Sequence, residues 1–209
     1  MDYLKALNWR YAVRQFAETE LEQALIERLV EAARLAPSSY GVQPYRLLIV
    51  KDKNLREQLL EHSFGQDKVR DSSHLAVFAT STASAATLLA QHMARVKAAR
   101  PELSAQQLAA MEESIGGTLH SFNAEQLLSW SKQQTFIALG HFITAAALEG
   151  VDACPMGGFV PAAYDQVLGL AEQALTATVI CTLGERHRDD ASASYAKVRV
   201  AAEEFVSYR

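Results

Sequence analysis

The chain has 209 residues, 49% of them hydrophobic and 21% charged. That is enough apolar material for one globular domain over 1–209, and too much for a disordered chain. The formal net charge of -4 excludes a general attraction to nucleic acid or anionic lipid, so any phosphate must be held by a few cations gathered locally.

No apolar run reaches the ~18 to 20 residues of a membrane span, and residues 1–10 lack the basic-then-apolar order of a secretory signal; both predict a cytoplasmic protein. Thr19 to Glu22 reads as a capping box, followed by Leu21, Leu25, Ile26, Leu29, Val30 and Ala33 at helical spacing up to Pro37: an amphipathic helix. Tyr45 to Val50 (YRLLIV) and Leu75 to Thr80 (LAVFAT) have the short apolar character of buried strands. Residues 83–99 and 104–115, split by Pro101, predict two helices that leave the sheet. Asn123 with Gln126 opens a long helix through Trp130, Phe136, Leu139 and Ile143 to a stop at Gly150. Its second half is apolar on most faces, which requires a central position, a subunit contact, or both. Val151 to Cys154 predicts a short strand, Pro161 to Leu168 a short helix, and Ala177 to Leu183 (ATVICTL) a third long strand rich in β-branched residues. After Gly184 the chain turns polar and ends in a stretch carrying Lys197 and Arg199.

The familiar catalytic signatures are missing: there is no G-x-G-x-x-G after a strand, no P-loop, no H-E-x-x-H and no G-x-S-x-G. The six histidines are dispersed, so no metal site is expected. Cys154 and Cys181 are flanked by apolar residues and read as buried thiols. With no nucleophile–base pair in view, catalysis in such a chain points to a bound cofactor.

Three segments stand out. Arg10 to Phe16 (RYAVRQF) sets two arginines four apart. Ala36 to Tyr45 (APSSYGVQPY) is a helix-to-strand loop dense in hydrogen-bonding groups, and Ala153 to Phe159 (ACPMGGF) places a Pro and a Gly pair directly after a strand. Singly they read as a solvated basic stretch, a polar connector and a turn. A long polar loop is also a usual ligand loop, and paired glycines let a backbone approach a flat ring.

Taken with SHLAVF (73–78), the long helix's W-x-x-x-Q and the final K-x-R, these segments occur in the order and at nearly the separations of the nitroreductase family of FMN enzymes, which the chain resembles almost end to end. Between about Arg95 and Phe122 the likeness fades into a variable helical excursion. The resemblance implies an α+β sandwich, a mainly antiparallel sheet flanked by helices, in a homodimer whose C-terminal stretch crosses to the partner's sheet. It implies FMN at the dimer interface, with the phosphate held by Arg10, Lys197 and Arg199, Tyr11 and Ala12 beside it, and Arg14 near N1 and O2 of the ring. Gln66 and Lys68 match the positions at the pyrimidine edge, although Gly65 could take that place by a one-residue shift. Pro155, Met156, Gly157 and Gly158 would lie behind the ring, with the Gly157 N–H near N5. Pro37, Ser38, Ser39 and Gly41 would reach the FMN of the partner subunit. Tyr40, Phe122 and Trp130 are candidate pocket walls, with ordinary packing the plainer role for the last two.

The implied reaction is ping-pong hydride transfer from NAD(P)H through the flavin to a small organic acceptor such as a nitroaromatic or a quinone, with no side chain needed as acid or base. Two alternatives stand beside it: a specialised dehalogenase, enoate, pteridine or flavin reductase, or a non-catalytic flavin-binding dimer. Three departures mark this chain. Ala12 replaces Ser or Thr, Gly41 stands where relatives have Asn, and Gly157 stands where many have Glu.

Overall fold

The computed structural model describes residues 2–209. Its strands are β1 (Tyr45–Val50), β2 (His74–Ser81), β3 (Asp152–Met156) and β4 (Leu175–Gly184). Its helices are α1 (Tyr3–Trp9), α2 (Gln23–Arg34), α3 (Lys53–Glu61), α4 (Lys68–Asp71), α5 (Ala85–Ala99), α6 (Ala105–His120), α7 (Ala124–Leu148), α8 (Pro161–Val167) and α9 (Ala202–Phe205). The strands form one sheet in the order β1-β2-β4-β3, each pair antiparallel. This is the expected α+β sandwich.

The inner strands explain the continuous apolar runs in the sequence. Side chains alternate across a strand, and in β2 both faces are covered. Ala76 and Phe78 enter a cluster with Ile26 and Leu29 of α2 and Ala138 and Phe142 of α7. Leu75 and Val77 enter another with Leu59 of α3 and Tyr164 of α8. Phe78 meets Phe142 edge to face at 5.4 Å, the geometry that aromatic quadrupoles favour. A third cluster, including Leu88, Met93, Leu119 and Leu127, fixes α5 and α6 to the start of α7; this is the helical excursion.

The capping box of Asn123 and Gln126 forms as expected at the start of α7. The helix crosses the sheet with Ala138, Phe142 and Ala146 fully buried, yet leaves Phe136 and Ile137 exposed. The capping box predicted at Thr19 does not form. Helix α2 begins at Gln23 behind Glu22, which makes no side-chain cap, because residues 17–21 are tied at both ends by tertiary bonds: the Ala17 N–H to the Glu185 carbonyl at 2.8 Å and the Leu21 N–H to Ser73 Oγ at 2.8 Å. Pro155 and Met156 lie inside β3 rather than after it. A proline is tolerated there because β3 is an edge strand, where a missing N–H leaves no ladder bond unmade. Helices α1, α3 and α4 escaped the sequence reading, being short and weakly patterned, and α6 runs on to His120.

Among the described residues no helix is long and apolar enough to cross a membrane. Beyond β4 the chain makes a short turn at Ala191–Ser194, and from Ala193 nearly every residue is exposed, including Phe205 and Tyr208 at 82% and 91%.

Candidate functional site

The proposed site residues fall into three groups. In the first, a cleft of about 420 Å³ is lined by Arg10, Tyr11, Ala12, Arg14, Lys197 and Arg199, among others, so the two ends of the chain meet. Helix α1, capped by the Asp2 carboxylate on the Lys5 N–H, releases Arg10 into extended backbone at its C-terminus. Lys197 donates to the carbonyls of Leu7 (2.9 Å) and Arg10. Burial first, then the charges of Arg10 and Arg199, lower the Lys197 pKa. Arg10 Nε is buried without a hydrogen-bond partner. Among the described residues none of Arg10, Arg14, Lys197 and Arg199 makes an ion pair. Mutually repelling cations with an unsatisfied buried donor have the chemistry to accept an anion, whose charge and acceptor oxygens would complement them.

Asp190 assembles this cleft, and the motif reading passed it by. Its buried carboxylate accepts from the Tyr11 hydroxyl (3.1 Å) and from the N–H groups of Arg14 (2.8 Å), Gln15 (3.2 Å) and Ser192 (3.0 Å). Burial alone would raise its pKa, but these hydrogen bonds hold it below its ordinary value. Burial and the Asp190 charge push Tyr11 up to about 12. Beside it Arg186, paired with the buried Asp152, lies 4.2 Å from the Trp9 ring centroid and 4.7 Å from that of Tyr11. The Asp190–Ser192 turn is a local signal that sequence carries. The contact to Tyr11, 179 positions away, is not.

The second group surrounds the end of β3. Gln66 Nε2 donates to the Gly158 carbonyl at 2.8 Å and to that of Ser63 at 3.0 Å. The buried Lys68 ammonium donates to Cys154 Sγ at 3.3 Å. A Cβ on Gly158 would stand 3.1 Å from Gln66 Nε2, whereas one on Gly157 would meet nothing within 4 Å. The position beside Gly157 at the strand end is therefore open to at least the depth of a Cβ.

The third group is the loop after α2. Ser38 Oγ accepts from the Gln43 N–H at 2.9 Å, the Gln43 side chain donates to the Arg34 carbonyl at 2.7 Å, and the Ser39 N–H donates to the buried Gln134 at 2.9 Å. Tyr40 and Gly41 take left-handed backbone, φ 56° and 74°. Gly and Asn tolerate that region best, which accounts for glycine at a position where the resembling family has Asn. Tyr40 reaches Thr118 of α6 at 2.9 Å. Phe122 and Trp130, ring centroids 6.0 Å apart, pack against the cluster under α5 and α6. This loop makes no hydrogen bond to either other group.

A model of the nitroreductase family matches residues 7–185. The chain belongs to the nitroreductase family. The match spans the Arg10 segment, the Ser38 loop and the β3 end, and stops just short of Arg186 and the tail. A Bacillus subtilis protein named "Putative NAD(P)H nitroreductase YfkO" is 31% identical over 219 aligned positions, covering 98% of this chain and 96% of that one. Among solved structures, the B. subtilis protein ydfN, titled a "putative nitroreductase", superposes with a TM-score of 0.88 at 21% identity, covering 99% and 98% of the two chains. A nitroreductase-type protein from Exiguobacterium sibiricum, solved in complex with FMN, superposes with a TM-score of 0.84 at 18% identity over 100% and 98%.

Proposed function

We propose that this nitroreductase-family chain works as a homodimeric, FMN-dependent oxidoreductase that passes electrons from NAD(P)H to a small organic acceptor. The observation that carries the reading is the cation cleft, in which the orphaned Arg10 Nε and the depressed Lys197 call for a phosphate. When bound, FMN supplies two-electron chemistry that no side-chain pair of this chain offers.

Arg10, Lys197 and Arg199 hold the phosphate, and Asp190 keeps Arg10 and Arg14 facing the tail. Arg14, exposed at the cleft and with a guanidinium that makes no ion pair among the described residues, places a fixed positive charge where charge accumulates on reduction. Gln66 and Lys68 present donors along one edge, and the open Gly157 face leaves space behind the ring. The Ser38 to Gly41 loop, held by Gln134 and Gln43, serves the site of the second subunit, in keeping with its separation from the other two groups. Exposed Phe136 and Ile137 on α7 and the uncovered tail supply the contact surface. Donor and acceptor use the same open face in turn, which gives ping-pong kinetics.

The test is an absorbance spectrum of the purified protein followed by anaerobic addition of NADH and, separately, NADPH. Flavin bands near ~450 nm that bleach on addition support the reading. Protein that neither carries nor takes up FMN overturns it, and FMN that binds but is never reduced by either nucleotide makes the chain a flavin carrier.

A further inference from the structure

A cleft of about 1300 Å³ opens beyond the end of β1 and shares no lining residue with the three groups above. Its walls are residues 16–20, the start of α3, the turn from α4 into β2, and His187 after β4. Arg56 of α3 lines it and is only 1% exposed. Its Nη1 donates to the carbonyls of Arg70 (2.7 Å) and Ser72, which pins α3 to the end of α4. Its Nε is buried without a partner. Its Nη2 makes no hydrogen bond among the described residues and is not one of the fully buried atoms, so it is the nitrogen left to meet an occupant.

Among the described residues no carboxylate pairs with this guanidinium. Burial lowers its pKa, while Asp71 and Asp52 act on it only at a distance. The uncompensated charge is felt next door, where the buried His74 has its own pKa lowered by burial first and then by Lys51 and Arg56. A cation withdrawn from water without a counter-ion is costly to keep, and it is suited to an anion that enters the cleft and supplies one.

The other charges of the lining decide what kind of molecule that anion belongs to. Glu20 is paired with Lys51, Asp71 with Arg70, and Asp52 caps α3 through the Leu55 N–H; His187 lies beside Asp189. That leaves Lys53, Arg56 and Glu18 as the lining charges without an ion pair among the described residues. Lys53 stands three positions before Arg56 and so shares its side of α3. Glu18 belongs to a different wall. A phosphate dianion would leave Glu18 facing like charge, whereas a molecule with one carboxylate and one ammonium meets an opposite charge on both walls.

We propose that this cleft is a further binding site, for a small zwitterion of the amino-acid class, whose carboxylate seats on Arg56 Nη2 and Lys53 and whose ammonium faces Glu18. The site stands apart from the flavin reading, because the two have no residue in common.

The experiment titrates the full chain by calorimetry with ω-amino acids of graded length, with the alkanoic acids of the same lengths, and with inorganic phosphate. It is repeated on Lys53→Ala, Glu18→Gln and Arg199→Ala. Lys53 and Glu18 are exposed, so their replacement leaves intact the Arg56 bonds that hold α3 to α4. The expected result is that an ω-amino acid of one length binds about tenfold tighter than the matching alkanoic acid, the worth of one added charge pair. Glu18→Gln removes that advantage and leaves the alkanoic acid unchanged, Lys53→Ala weakens both by about tenfold, and Arg199→Ala alters neither. No saturable binding of any amino acid overturns the site, as does binding that Lys53→Ala and Glu18→Gln leave untouched. Phosphate that binds as tightly as the best amino acid, and is weakened by Lys53→Ala but not by Arg199→Ala, makes the cleft a plain anion site and overturns the zwitterion. Each of these results leaves the flavin reading standing.

Discussion

Replacing Asp190 by Asn tests whether the phosphate cleft is assembled by one carboxylate. Its Oδ2 accepts three hydrogen bonds, from the Tyr11 hydroxyl and the N–H groups of Arg14 and Gln15, and Oδ1 a fourth from Ser192. An amide can place oxygen at only one of those positions. Its NH₂ then faces the N–H of Ser192 or those of Arg14 and Gln15, so at least one charge-assisted bond becomes a donor–donor contact. Such a bond is worth about 1.5 to 3 kcal/mol. That energy reaches FMN affinity only as far as the segment swings away from Lys197 and Arg199, so it sets an upper bound of roughly 10- to 150-fold on the loss. We expect at least about tenfold, because among the described residues Asp190 accepts every hydrogen bond that runs from residues 11–14 to the chain beyond Gly184. Removing the Tyr11 hydroxyl alone, in Tyr11→Phe, should cost less, about 0.5 to 1.5 kcal/mol at most. The assay is fluorescence titration of FMN into apoprotein, with urea unfolding as the control for the core, since Asp190 belongs to none of the three hydrophobic clusters. The pH dependence follows with its sign. A carboxylate held below its ordinary 3.8 contributes fully above that value, and the contribution is lost as pH falls through the lower folded pKa. An Asn variant that binds FMN within a factor of two of the parent would refute the reasoning.

Arg199→Ala should weaken FMN binding by about 1.5 to 3 kcal/mol, the worth of one charge-assisted contact. The melting temperature should not move, because among the described residues this exposed side chain's only hydrogen bond is to the adjacent Val198 carbonyl; unchanged affinity in the same titration would remove it from the phosphate site. Lys197 must be charged to hold an anion, and its pKa lies below an ordinary lysine's 10.5. FMN affinity should therefore fall on the alkaline side before ordinary lysines titrate, and a Lys197→Arg variant should abolish that fall. Gly184→Ala would set a Cβ 2.7 Å from the Phe16 ring. It should destabilise the fold by about 1 to 3 kcal/mol in urea unfolding, and a neutral result would show that Phe16 can move aside.

Much of the architecture was legible in the residues. LAVFAT and ATVICTL announced inner strands because their apolar runs are unbroken, and the structure shows why: helices cover both faces of β2 and β4. Asn123 and Gln126 marked the start of α7 because a capping box is local chemistry, complete within four residues. The same motif misled at Thr19, where Glu185, just past β4, and Ser73, just before β2, claim the backbone first and delay the helix to Gln23. The order of RYAVRQF, PSSYGVQPY, CPMGGF and K-x-R pointed to the family, and such motifs identify without saying where they meet.

That meeting was decided by tertiary structure. Nothing local in Arg10 or Lys197 reveals that they share a cleft, that one retains an unsatisfied donor, or that Asp190 binds Tyr11 across most of the chain. Arg56, a buried cation on α3 whose Nη1 donates to the carbonyls of Arg70 and Ser72, was invisible for the same reason, since in sequence it is one more cation on a polar helix. Only its burial, with its hydrogen bonds spent on backbone carbonyls, sets it apart. Local propensity and hydrophobic period write themselves into short stretches of residues, whereas the electrostatics of a site depend on which distant charges the fold brings within a few ångströms of one another, and on how little water it leaves between them.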